Sequence, residues 1–215
     1  QDALEELRRL GSLATDALER AEIWAQTGQV HYGLSDYDKA LRFYYKALEV
    51  RRDLDDAGGE ANLLSCIATI LKDRGEDDRA AAMYERATDL AQEAGAELVR
   101  AFCLHNLARI RTFQGDIEGA RSLHEKAMGL YEAAGDRAGV ALARNSLANL
   151  ARHEGRYDHA MALYRRNLSV YEELGDEFGM SFSARNIGDI HFLRGEYDSA
   201  RAFYDESLAM CRRLG

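Results

Sequence analysis

A six-residue motif recurs five times in this chain at intervals of 40 residues. Its last copy is GEYDSA at residues 195–200, and the earlier copies end at Ala40, Ala80, Ala120 and Ala160. No insertion or deletion interrupts this spacing. Because a fixed period of 20–50 residues is typical of stacked supersecondary repeats, we predict a repeat architecture along the whole chain.

Two helical patterns fill each repeat, and glycines separate them. In residues 141–180, apolar residues recur at intervals of three and four on both sides of Gly155. Gly155 and Gly175 are expected to end helices in the left-handed conformation, and Asp176 is expected to cap the next helix. The chain also lacks proline, which breaks helix interiors. We therefore predict an all-α fold of antiparallel helices of about 14 to 18 residues, without strands.

The repeats predict one array over residues 1–215. It comprises a trailing half-repeat and cap at 1–20, followed by repeats at 21–60, 61–100, 101–140, 141–180 and 181–215. Both ends have the pattern of a cut array. Because cut arrays expose apolar helix faces, end-to-end self-association of the chain is a further expectation.

Composition excludes several classes of function. A net charge of −9 with interspersed charges argues against direct binding of nucleic acid. No apolar run approaches the roughly 18 residues that a membrane-spanning helix needs. Three cysteines, Cys66, Cys103 and Cys211, without C-x-x-C spacing, favour buried thiols and a reducing, cytoplasmic location over disulfides. The Ala/Arg/Gly/Asp-rich composition is associated with high-GC bacteria.

In register, the repeats resemble the tetratricopeptide repeat (TPR). That pattern has a large residue, Leu-Gly and Tyr in its first helix, and Ala, Phe/Tyr and Ala in its second. The first repeat matches it with Trp24, Gly28, Ala40, Tyr44 and Ala47. The other repeats match at corresponding positions, with departures at His124, Arg144, Asn167, Ala184 and Ser207.

The repeat length points to a TPR subgroup. The usual TPR has 34 residues, whereas this period of 40 is similar to the longer variant in kinesin light chains, cell-polarity scaffolds and bacterial TPR regulators and signalling ATPases. The segments YEAAGD at 131–136 and YEELGD at 171–176 carry this second resemblance. It implies a right-handed α-solenoid of about five TPR units.

No residue pattern indicates catalysis. The sequence contains no phosphate-binding glycine loop and no nucleophile elbow. Neither His153 with His159 nor Cys103 with His105 makes a metal-ligand set. The other histidines, His31, His124 and His191, hold aromatic positions of the repeat, which favours packing. We expect no enzyme activity, no metal and no cofactor.

The TPR resemblance implies a concave groove lined by the first helices. Candidate groove residues are Lys72, Phe102, His105, Arg109, Phe113, Asn145, Asn149, Arg152, Phe182, Arg185, Asp189 and Phe192. Arginine forks pair with carboxylates and aromatic rings anchor side chains, so an acidic or aromatic-rich partner is expected. Asn106, Asn145, Asn149 and Asn186 are expected to bond a peptide backbone. The competing interpretation is that these arginines pair with neighbouring acids and the phenylalanines pack between helices.

These patterns predict a protein-interaction module that binds a peptide or helix of a protein partner in its groove. The alternative is a regulatory or sensor domain of a larger bacterial transcription regulator or signalling ATPase. There the array binds an effector peptide or holds a neighbouring domain inactive.

Overall fold

The computed structural model describes residues 3–7 and 16–214. Residues 3–7 are helical, and residues 16–214 form ten helices with no strand among them. They are α1 (Ala17–Gly33), α2 (Tyr37–Asp53), α3 (Ala57–Asp73), α4 (Asp77–Glu93), α5 (Glu97–Phe113), α6 (Ile117–Ala133), α7 (Arg137–His153), α8 (Tyr157–Leu174), α9 (Glu177–Leu193) and α10 (Tyr197–Leu214). Each has 17 or 18 residues, so the predicted all-α fold and helix lengths are confirmed.

The helices pack in consecutive pairs. In each 40-residue repeat an odd-numbered helix is the first and the following even-numbered helix is the second. Direct packing joins α1 to α2, α3 to α4, α7 to α8 and α9 to α10. The chain divides into two compact parts, residues 1–110 and residues 111–215, called here the N-terminal and C-terminal parts.

Each of the nine connections between α1 and α10 turns through one residue with a positive φ, and these residues lie 20 apart. Seven are glycines, including Gly155 at φ 74° and Gly175 at φ 69°, which confirms their predicted role. Ser35 and Asp55 take the same conformation at φ 59° and 52°. Because a Cβ atom disfavours this region, glycine is the usual residue there.

The carboxylates after these turns cap the next helix. Asp176 Oδ1 accepts a hydrogen bond of 2.9 Å from the backbone N–H of Gly179, as predicted. The same cap, to the second or third residue of the helix, is formed by Asp16, Asp56 and Asp136. Such caps satisfy backbone donors that have no partner within the helix.

Small residues let the paired helices approach closely. A Cβ atom on Gly28 would lie 2.7 Å from the ring of Tyr44, and one on Gly188 would lie 2.8 Å from the ring of Tyr204. The motif alanines Ala40, Ala80, Ala120, Ala160 and Ala200 are all buried. In the first and fifth repeats, a tyrosine of the second helix therefore covers the glycine of the first helix.

The two residues of the fourth repeat that depart from the TPR pattern, Arg144 and Asn167, bond to each other. Arg144 Nη1 donates to Asn167 Oδ1 at 3.0 Å, and Asn167 Nδ2 donates to the carbonyl oxygen of Ala141 at 2.8 Å. Both side chains are buried between α7 and α8. In the fifth repeat, Ser207 Oγ donates to the carbonyl oxygen of Ser181 at 2.9 Å. Polar pairs thus replace apolar contacts in the core of the last two repeats.

The histidines at aromatic positions pack as predicted. His31 stacks on Phe43 with ring centroids 5.6 Å apart, and His191 stacks on Phe203 at 5.4 Å. His124 is buried. Among residues 3–7 and 16–214, no three His, Cys, Asp or Glu side chains lie together as metal ligands.

The three cysteines carry free thiols. Cys103 is buried and Cys66 is half-buried, whereas Cys211 is exposed on α10, so the prediction of buried thiols was wrong for Cys211. Burial raises the pKa of the Cys103 thiol to about 12, which keeps it protonated at neutral pH. None of the described helices has the length and apolar character needed to cross a membrane.

Candidate partner-binding surface

Two first helices of the C-terminal part, α7 and α9, carry most of the predicted groove residues. Helix α7 supplies Asn145, Asn149 and Arg152, and α9 supplies Phe182, Arg185, Asp189 and Phe192. Phe113, at the end of α5, is 83% exposed. A pocket lies beside the residues of α7 and α9.

That pocket is called here the anchor pocket, and it has a volume of about 500 Å³. Three exposed apolar side chains, Leu142, Phe178 and Phe182, line it. The remaining lining residues are Tyr131, Asp136, Ala138, Gly139, Asn145, Tyr171, Asp176, Gly179 and Ser183. Its size is within the range of pockets that bind small ligands or single side chains.

Two tyrosine–glycine contacts form the walls of the anchor pocket. A Cβ atom on Gly139 would overlap the ring of Tyr131, and one on Gly179 would lie 2.5 Å from the ring of Tyr171. Each ring therefore occupies space that any larger residue would need. Both contacts join the end of a second helix to the start of the next first helix, eight residues later.

Polar groups border the anchor pocket on one side. The Arg185 guanidinium lies 4.6 Å from the centroid of the Phe182 ring, in cation–π geometry. Phe182 in turn packs against Phe178, with centroids 4.9 Å apart. Asn145, which is half-buried and lines the anchor pocket, accepts a hydrogen bond of 3.1 Å at Oδ1 from Asn186 Nδ2.

Tyrosine hydroxyls hold the next polar residues in place. Tyr164 donates to Asn149 Oδ1 at 2.7 Å, and Tyr204 donates to Asp189 Oδ1 at 2.9 Å. Burial raises the pKa of both phenols, and the Asp189 carboxylate raises that of Tyr204 further, so both remain donors at neutral pH. The same bond recurs in the N-terminal part, between Tyr44 and Gln29 and between Tyr84 and Thr69.

The N-terminal part places its four predicted residues differently. Lys72 is half-buried and donates to Asn106 Oδ1 at 3.4 Å, and burial, followed by repulsion from Arg109, lowers its pKa. Arg109 is exposed. Phe102 is 37% exposed and meets the ring of Tyr84 edge-on at 6.5 Å.

His105, predicted to line the groove, is only 3% exposed. The corresponding Ser65 of the second repeat is buried too, whereas Arg185 in the fifth repeat is exposed. The side chain at this position is therefore buried at His105 and Ser65, half-buried at Asn145 and exposed at Arg185, so the repeat register alone does not determine its exposure.

Two of the asparagines predicted to bond a peptide backbone are used internally. Asn106 and Asn186 are buried. Asn106 Nδ2 donates to the carbonyl oxygen of Phe102 at 3.0 Å, and Asn186 Nδ2 donates to Asn145. The prediction was wrong for these two residues, because Asn106 bonds within its own helix and Asn186 bonds across to α7, and the sequence pattern reveals neither bond.

The competing interpretation of paired arginines and packed phenylalanines finds limited support. Within the described residues, no carboxylate lies within ion-pair distance of Arg109, Arg152 or Arg185. Phe113 and Phe192 are largely exposed, although Phe192 meets the ring of Tyr197 edge-on. A role for these side chains in binding stays a prediction.

Tetratricopeptide repeat family models match residues 21–54, 59–133 and 138–213. A search of curated proteins by sequence gave no match. Three solved structures show the extent of the similarity in fold.

BtubC (BKLC) from P. vanneervenii has a TM-score of 0.81 and 24% identity, covering 99% of this chain and 88% of that one. A Rap protein complexed with competence and sporulation factor has a TM-score of 0.76 and 17% identity, covering 99% and 70%. The TPR-like repeats of a Podosopora anserina putative kinesin light chain have a TM-score of 0.70 and 11% identity, covering 94% and 99%. The chain therefore belongs to the tetratricopeptide repeat family.

Proposed function

We propose that this chain is a protein-interaction module whose C-terminal part binds a peptide segment of a partner protein on α7 and α9. Family membership supports the general role. One protein of similar fold, the Rap protein, is described in complex with competence and sporulation factor. The mechanism is binding without catalysis.

The anchor pocket is the observation that carries this proposal. Leu142, Phe178 and Phe182 leave apolar surface exposed around a concave space of about 500 Å³. Burying a large apolar side chain there removes its surface and theirs from water, which drives association. Aromatic side chains in such pockets commonly dominate the binding free energy.

Charged side chains on α7 and α9 indicate the second property of the ligand. Arg185 and Arg152 have no carboxylate partner among the described residues, and Asp189 accepts a bond from Tyr204. A carboxylate of the ligand would pair with a guanidinium through charge-assisted hydrogen bonds. We therefore expect a peptide that carries an aromatic or large aliphatic residue next to an acidic one.

A displayed library of random peptides, selected against the purified chain, tests the proposal. Selected peptides should contain an apolar residue beside Asp or Glu. Their affinity should fall about tenfold or more in Phe182→Ser, because the anchor pocket loses one of its exposed aromatic lining residues. Arg185→Glu should lower the affinity for peptides with an acidic residue more than for their amide counterparts.

Matched variants on α10 provide the controls. Leu208 and Arg201 are also exposed in the C-terminal part, and neither lines the anchor pocket. Leu208→Ser and Arg201→Glu should leave peptide affinity unchanged. If these variants abolish binding while Phe182→Ser does not, the ligand binds elsewhere and the proposal fails.

The regulatory alternative uses the same surface for an effector peptide. It requires an adjoining domain in the parent sequence whose activity changes when the selected peptide is added. A parent protein whose activity ignores a tightly bound peptide would favour the interaction module.

A further inference from the structure

A second pocket in the C-terminal part shares no residue with the anchor pocket. It has a volume of about 340 Å³ and is called here the arginine pocket. The end of α6, the start of α7 and the middle of α8 contribute its lining, which consists of Glu132, Gly135, Arg137, Val140, Arg144, Arg166 and Val170. The lining thus includes three arginines, one glutamate and two valines.

Arg144 is the central residue of the arginine pocket. It holds a position at which the first three repeats carry Trp24, Leu64 and Leu104, and it is only 4% exposed. Its guanidinium has five N–H donors, yet its one hydrogen bond to a described residue goes from Nη1 to Asn167. A buried charge without a counter-ion is costly, so such groups are normally paired.

The other charges do not neutralise Arg144. Among the described residues, no carboxylate lies within 4 Å of Arg144 or Arg166. Arg137 already pairs with Glu173. Burial lowers the pKa of Arg144, and Arg166 lowers it further, whereas Glu132 acts in the opposite direction. Because arginine remains protonated at neutral pH, the pocket keeps an excess of positive charge.

We propose that the arginine pocket binds a small organic carboxylate. The carboxylate would pair with Arg144 and Arg166, whose planar forks match its two oxygens. The short apolar portion of the ligand would lie against Val140 and Val170, which also line the pocket. The volume suits a small molecule.

Binding to the intact chain, measured by isothermal titration with benzoate and butyrate, tests this site. Both probes should bind saturably, whereas benzamide and butyramide, which have the same shape without the charge, should not. Inorganic phosphate is the third probe, and equal binding of phosphate and benzoate would overturn the assignment of an organic carboxylate. Absence of benzoate binding at millimolar concentrations would overturn the proposal altogether.

Variants locate the bound carboxylate. Arg166→Gln should weaken benzoate binding about ten- to hundredfold, as expected for loss of a charged hydrogen bond. The neighbouring exposed Arg165 does not line the pocket, so Arg165→Gln is the matched control and should bind normally. Equal effects of the two variants would mean that benzoate is attracted only by the general positive charge, and they would overturn the proposed site.

Two further variants distinguish the ligand from an internal partner. Glu132→Gln removes the pocket's own carboxylate, so it should tighten benzoate binding several-fold. If it instead abolished benzoate binding, Glu132 would be needed to build the site and the proposed role of the pocket would be wrong. The double variant Arg144→Leu/Asn167→Ala restores the residue types of the second and third repeats, so it should fold and lose benzoate binding.

Discussion

The helix pairs α3–α4 and α7–α8 occupy equivalent places in the repeat but are held together by different chemistry. In α3–α4, Leu64 and Ala87 meet the repeat pattern and are fully or almost fully buried. In α7–α8, Arg144 and Asn167 stand at the same positions, equally buried, and bond to each other. The helices have nearly equal lengths and the same turns in both pairs.

This comparison shows that the frame of the repeat and its core chemistry are separable. Turn glycines, caps and small contact residues determine where helices begin, end and approach. The side chains at the remaining positions then decide whether a pair has a sealed apolar core or opens onto a pocket. The fourth repeat keeps the frame but carries polar side chains in its core. Both pockets described above adjoin it.

The largest expected effect comes from breaking the polar pair on one side only. Asn167→Ala leaves the Arg144 guanidinium and the Ala141 carbonyl without their buried partner, so it should destabilise the chain by about 2–4 kcal/mol. Arg144→Leu/Asn167→Ala should be within about 1 kcal/mol of the wild type or more stable. Urea unfolding followed by circular dichroism measures both.

Ala87→Asn in α4 is the matched control for this prediction. It places an asparagine in the apolar core between α3 and α4, where no arginine is present, and should destabilise the chain by about 1–3 kcal/mol. If Asn167→Ala proved harmless while the double variant unfolded, the two residues would not depend on each other and the comparison would fail.

The next effect concerns a residue near the end of each second helix. Tyr171, near the end of α8, covers Gly179, whereas α4 has Ala91 at the corresponding place and the next helix has Val99. Gly179→Val should destabilise the chain by about 1–3 kcal/mol, because its side chain would overlap the ring. Adding Tyr171→Ala should recover most of the loss in thermal unfolding. Failure to recover would mean that the ring is not the obstacle.

A smaller difference lies in the turns before α3 and α7. Asp55 takes a positive φ before α3, whereas Gly135 holds that conformation before α7. Asp55→Gly should stabilise the chain by about 0.5–1 kcal/mol, and Gly135→Asp should destabilise it by about 1 kcal/mol, because only glycine adopts this region without strain. Chemical unfolding of both variants should give changes of opposite sign. Changes of the same sign would contradict the account of the turns.

The smallest effect is pH-dependent and concerns the cap of α3. Hydrogen bonds from the Gly59 N–H group and from Arg51 hold the pKa of the Asp56 carboxyl below its ordinary value. A lowered pKa in the folded state stabilises the fold above the unfolded-state pKa, and this contribution is lost as pH falls through the folded-state value. The free energy of unfolding of the wild type should therefore exceed that of Asp56→Asn by about 0.5–1 kcal/mol at pH 7 and by less at pH 3. A constant difference between the two pH values would contradict this role.

Much of the frame could be predicted because it is local. The 40-residue period, the turn at Gly175 and the cap at Asp176 depend on residues close together in the chain. The sequence also showed that Arg144 and Asn167 break the pattern, but their mutual bond joins two helices across 23 residues. No local rule predicts such a bond.

The candidate surface could be predicted only in outline, for the same reason. First-helix register identified Phe182 and Arg185, whose side chains are exposed. It did not identify Tyr171 as a pocket wall, although Tyr and Gly recur eight residues apart at 131 and 139 and again at 171 and 179. That recurrence is a signal that could have revealed the tyrosine–glycine contact. The burial of His105 depends on packing that the register does not describe.

The most direct test of the peptide-binding claim is a map of amide chemical shifts on adding a selected peptide to the isotope-labelled chain. We expect the largest changes at residues 138–145 and 178–185, around the anchor pocket, and their loss in Phe182→Ser. Changes concentrated on α8 and α10, with α7 and α9 unaffected, would contradict it.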